Sequence, residues 1–151
     1  MIEGIDYINA YSKSTLKVGR MLSNFYHCPI ATPEGVFQSV EAYYYYLGLP
    51  DIPEKEELKY YYGYMAKERG QKLQQQFGKF RIDETEFHTK ILQACIEKIK
   101  HNIYLLEPKY EGLPIVHFYD YSGNIIVPAN CEWWVTGLNY IVETIYNKMD
   151  T

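Results

Sequence analysis

Apolar residues recur at helical spacing in several stretches of the chain. Val40, Tyr43, Tyr44 and Leu47 share one face directly after Ser39, a favoured N-cap residue, and Gly48 and Pro50 close that helix. Pro53, followed by Glu54, Glu56 and Glu57, opens a second helix with its acidic residues where the macrodipole favours them. That helix is expected to run to about Arg69, with an interruption at Gly70 and a continuation over 71–77. Asp83-Glu84-Thr85-Glu86 is a capping box ahead of a stripe of Phe87, Ile91, Leu92, Cys95, Ile96 and Ile99, so a third helix ends near His101. A final helix is predicted over 132–148, with Trp134, Leu138, Ile141, Val142 and Ile145 inward.

Between these periodic stretches lie short β-like runs. Residues 4–10 give a short strand signal, and the polar stretch 11–20 reads as a loop. Pieces at 28–31 and 35–38 flank the turn Thr32-Pro33-Glu34-Gly35, which predicts a hairpin. Pro114–Tyr119 and Asn124–Val127 flank Tyr121-Ser122-Gly123, a second and better hairpin. The expected fold is α+β: a single compact, mostly helical domain over 1–151 with short β-hairpins, without internal repeats or linkers.

Composition narrows the function classes. With 151 residues and 47% hydrophobic residues, the chain closes one core and is not disordered. A net charge of -4 disfavours non-specific nucleic-acid binding, which relies on counterion release. A small anionic ligand is compatible with it, since a few N–H groups and one basic side chain can hold a phosphate. The N-terminus has neither a basic nor an apolar signal region, and no run reaches membrane-spanning length, so a cytoplasmic location away from membranes is expected. Cys28, Cys95 and Cys131 are odd in number and widely spaced, and predict free thiols. His27, Cys28, His117 and Cys131 lack metal-ligand spacing; neither a metal nor a cofactor is expected.

Tyrosine is the anomaly, with 17 residues, concentrated at Tyr43–Tyr46 and at Tyr60, Tyr61, Tyr62 and Tyr64. Four consecutive helical tyrosines cannot all face inward, because successive residues are about 100° apart. Those left over wall a groove that stacks a base, or they form a protein or homo-oligomer interface. Trp133-Trp134 reads as core packing.

Three segments together resemble the NADAR family of YbiA-like, NAD- and ADP-ribose-associated domains. Gly19-Arg20-Met21-Leu22-Ser23-Asn24-Phe25 looks like the family's SNF segment. Phe37-Gln38-Ser39-Val40-Glu41-Ala42-Tyr43-Tyr44 is similar to its glutamate-bearing helix start, and Ala66-Lys67-Glu68-Arg69-Gly70-Gln71 to a later glycine element. Order and spacing agree over about 19–71. The chain departs from the family pattern where a lysine is carried about seven residues after the glutamate, since Leu47 and Gly48 stand there, and where Gln71 replaces an arginine.

The resemblance implies a small-molecule nucleotide of ADP-ribose type as ligand. Arg20 would contact phosphate, Asn24 and Glu41 the ribose hydroxyls, Tyr44 and Tyr45 would wall the base, and Ser23 and Phe25 would also contact the ligand. Lys67, Arg69 and Gly70 would add charge and a close backbone approach. Glu41 is equally placed to complement a helix dipole, Asn24 to close a turn, Arg20 to be a surface side chain, and Lys67, Arg69 and Gly70 to be a solvated helix end. The missing lysine favours a binder that sequesters the nucleotide, such as a bacteriophage counter-defence protein holding a cyclic ADP-ribose-type signal. The rivals are an N-glycosidase that cleaves an ADP-ribosylated base, with Glu41 as the acid/base and Lys67 as a substitute amine, and a protein-interaction module.

Overall fold

The computed structural model describes residues Met1–Asp150, which group into two units: Met1–Ser23 with the chain from Ile99 onward, and Asn24–Lys98. The first unit starts with strand β1 (Ile8–Asn9) and helix α1 (Lys17–Leu22). The expected loop over 11–20 is thus partly a helix. Val18, Met21 and Leu22, an i, i+3, i+4 set, bury it, and the many polar residues before it hide that stripe. Gly19 is required there, because a Cβ would lie 2.1 Å from Ser14 Oγ.

In the second unit β2 (Ile30–Thr32) and β3 (Gly35–Phe37) form the expected hairpin, with Ile30 opposite Phe37. Helix α2 (Val40–Leu47) follows Ser39, whose hydroxyl accepts from the Ala42 N–H at 3.1 Å and donates to the Tyr61 carbonyl at 3.1 Å. The long helix expected from Pro53 is two pieces. Pro53–Tyr60 is a 3-10 helix, and α3 (Gly63–Phe77) begins after an extended Tyr61 and Tyr62. The break is held by tertiary bonds: Ser39 takes the Tyr61 carbonyl, and the Phe25 carbonyl takes the N–H of Gly63, whose φ is +61°. Gly70 does not interrupt α3. Helix α4 (Glu84–His101) starts where expected, with Asp83 accepting from the Glu86 N–H at 3.0 Å.

The remainder of the first unit corrects one expectation. The run 114–119 is not one strand of a hairpin: β4 (Ile115–Val116) pairs in parallel with β1, and only β5 (Tyr119–Tyr121) pairs with β6 (Asn124–Ile126). The tight turn is as predicted, with Ser122 and Gly123 both at positive φ. Helix α5 (Glu132–Met149) buries Trp134, Leu138, Ile141, Val142 and Tyr146, while Ile145 is only half-buried.

Replacing Ser39 by alanine removes both a cap and a buried tie to the 61–62 break. We expect Ser39→Ala to cost about 2 kcal/mol in urea unfolding, the upper end of the range for caps; a loss below about 0.5 kcal/mol would show that the break holds without it.

Candidate functional site

Helices α2 and α3 meet with almost no clearance. A Cβ on Gly70 would fall 2.3 Å from Cγ of Tyr45, so the tyrosine ring rests directly on the α3 backbone. Glu41 lies one turn before Tyr45 on α2, and Lys67 one turn before Gly70 on α3. Lys67 is near enough to favour the charged form of the Glu41 carboxyl. The Asn24 carbonyl accepts from the Glu41 N–H at 2.9 Å and fixes the first turn of α2.

Burial pushes the Glu41 carboxyl up to about 7, even though Lys67 and Lys98 both favour its charged form. Lys98, on α4, is 0% exposed. Its burial holds the amine down at about 8, opposed by Cys95, Cys28 and Glu41. On the same face of α4, Cys95 Sγ lies 4.0 Å from Asn24 Oδ1. A carboxyl and an amine, each shifted toward its neutral form, thus share one region with Asn24 and Lys67.

Sequence reading missed Lys98. Its position, three residues after Cys95, continues the buried stripe, but a lysine there reads as the solvated edge of the helix.

The tyrosine run divides into distinct tasks. Tyr43 and Tyr46 are buried and hand their hydroxyls to Glu34 and Glu56. Tyr45 is buried against α3, whereas Tyr44, grouped with Val40, Tyr43 and Leu47 by spacing, is 38% exposed. Tyr44 packs edge-on to Tyr45 and to Phe87, with ring centroids at 5.3 and 5.1 Å. Both Tyr44 and Tyr45 line a recess of about 690 Å³ between the C-terminal part of α2, the second half of α3 and residues 79–87. Tyr60, Tyr62 and Tyr64 are exposed.

The remaining candidates are placed as follows. Phe25 is half-buried beside Asn24, and Arg69 is held by Glu57 in an ion pair. Arg20 and Ser23 belong to the other unit, where the Arg20 guanidinium donates to the Ser14 carbonyl at 2.8 Å and buried Ser23 caps α1. Among the described residues, no three His, Cys, Asp or Glu side chains gather as metal ligands, and no helix is long and apolar enough to cross a membrane.

No known family profile matches this sequence, and no curated protein matches it. An NMR structure of the Escherichia coli protein YbiA does match in fold, with a TM-score of 0.63 and 17% identity, over 99% of this chain and 88% of that chain. The chain has a YbiA-like α+β fold.

Within this YbiA-like fold, Leu47 is buried and Gly48 borders the recess, so the end of α2 presents no amine. The amines near Glu41 come instead from α3 and α4.

The folded state binds the Lys98 proton less tightly than the unfolded chain, so the penalty is complete below pH 8 and disappears between about 8 and 10.5. Wild-type stability should gain up to about 3 kcal/mol over that window relative to Lys98→Met, as measured by denaturant unfolding at several pH values. Parallel pH curves for the two proteins would contradict a buried, weakly basic Lys98.

Proposed function

We propose that this chain binds an NAD- or ADP-ribose-derived nucleotide and acts on its ribosyl N-glycosidic bond, with Glu41 as the proton-transferring carboxyl. The arrangement that carries this reading is the Glu41 carboxyl on the first turn of α2, anchored through its N–H to the Asn24 carbonyl, with Lys67 and Lys98 near enough to act on it while burial raises it to about 7. A carboxyl with that affinity is substantially protonated at neutral pH and can give its proton to a leaving base. A glutamic acid of ordinary affinity is almost wholly ionised at that pH.

In the proposed reaction the bond between ribosyl C1 and the base nitrogen breaks, and the Glu41 proton goes to that nitrogen. Water adds to C1, and its released proton returns to Glu41. The products are the free base and a ribose bearing a C1 hydroxyl. Asn24, beside the first turn of α2, is placed for ribose hydroxyls. Lys67 lowers the Glu41 affinity against burial, keeping it near neutrality.

A second reading, retention without cleavage, is favoured by one observation: Leu47 and Gly48 stand where the resemblance expects a lysine. In that case the protein sequesters its nucleotide intact. Chromatography of an ADP-ribosylated base after incubation with protein separates the two readings.

We expect base release that drops at least about 100-fold in Glu41→Gln, with the fold retained by circular dichroism. The rate should fall as pH rises through about 7, and Lys67→Met should move that limb upward, because removing a cation raises the carboxyl. Quantitative recovery of tightly bound, intact ligand would establish retention. Turnover unchanged in Glu41→Gln would remove Glu41 from the chemistry.

A further inference from the structure

We infer that the recess at the C-terminal end of α2 is an adenylate subsite, taking a purine ring and the phosphate attached to its ribose. The inference rests on the nucleotide reading above and deepens it. At about 690 Å³ the recess has the size of small-ligand pockets, and its walls combine three chemistries that such a ligand needs together.

Aromatic faces come first. Tyr44 and Phe87 meet edge to face at 70°, and Phe80, which also lines the recess, is 54% exposed. Exposed ring surface beside a fixed aromatic pair is a platform on which a base stacks.

Second come amides. Gln71 and Gln75 line the recess, and their side chains make no hydrogen bond among the described residues. Each offers two donors and an acceptor to the polar edge of a base. Gln74, between them, is committed to the wall: its amide donates to the Gly48 carbonyl at 3.3 Å, and the Phe80 N–H donates to the same oxygen at 2.9 Å. The floor is therefore fixed while its neighbours are available.

Cations complete the set. In this unit Lys59, Arg69, Lys72 and Lys90 each meet a carboxylate. Lys79 and Arg81, both lining the recess, meet none among the described residues, and the one carboxylate among the lining residues, Glu84, reaches instead toward His88 at 3.9 Å. Two uncommitted cations beside stacking faces match a phosphate joined to a base.

Tyr45, which lines the recess, is four residues beyond Glu41, about 6 Å along α2, so the recess and Glu41 lie one helical turn apart on the same helix.

AMP is the probe, because it has the adenylate half and no second ribose for Glu41 to act on. Titrated into ¹⁵N-labelled protein, it should give saturable shift changes in residues 71–87. A Lys79→Ala/Arg81→Ala double variant with unchanged thermal midpoint should bind it about tenfold more weakly, and Glu41→Gln should bind it like the wild type. The inference is overturned by shifts that bypass 71–87, by an affinity unchanged in the double variant, or by no saturation up to about 5 mM AMP. Because AMP binding does not depend on bond cleavage, loss of the glycosidase reading and loss of the subsite are separately visible.

Discussion

The contact between the Tyr45 ring and the Gly70 backbone governs the arrangement of the Asn24–Lys98 unit. A glycine inside an exposed helix ordinarily costs about 1 kcal/mol relative to alanine, and here that cost secures the approach of two helices. With any side chain at 70, α2 and α3 would have to move apart, since a Cβ would sit 2.3 Å from the ring. Close approach has three consequences. Lys67 comes near enough to act on the Glu41 carboxyl; Tyr45 is buried on the α3 backbone; and Gly48 comes within reach of Gln74. The close packing of the two helices thus depends on one missing methyl group.

Much of this was legible in the sequence, because the signals were local. Ser39 as a cap, Asp83 as the start of α4, and Ser122-Gly123 as a tight turn are decisions made by a few neighbouring residues, and each stands in the structure. The glutamate of α2 was legible for the same reason: it follows its cap at a fixed spacing. The overall α+β class followed from these elements, and the fold of YbiA agrees with it at 17% identity.

The parts that were not legible depend on partners distant in sequence. Nothing near Tyr61 and Tyr62 announces that the backbone breaks there; the acceptors and donors that stabilise the break come from Phe25 and Ser39. Strand β4 leaves its expected hairpin because β1, more than a hundred residues earlier, offers a parallel edge. Lys98 occupies a position that the stripe marks as inward, but its residue type argues outward. Tyr44 shows the reverse conflict, an apolar ring at an inward spacing that ends exposed beside a recess. Both exceptions fall in the region where the functional reading is centred. Local rules are expected to yield at such sites.

The tyrosine excess accordingly has no single explanation. Tyr43 and Tyr46 are core residues whose hydroxyls meet carboxylates, Tyr45 is a buried spacer between helices, and Tyr44 is the exposed member of the run. What joins them is the crossing of α2 and α3, beside which burial raises the proton affinity of Glu41. The most direct measurement is a ¹³C NMR titration of the Glu41 side-chain carboxyl in the native protein. A midpoint near 7 is expected, whereas titration at the ordinary value of 4.5 would contradict a carboxyl raised by burial.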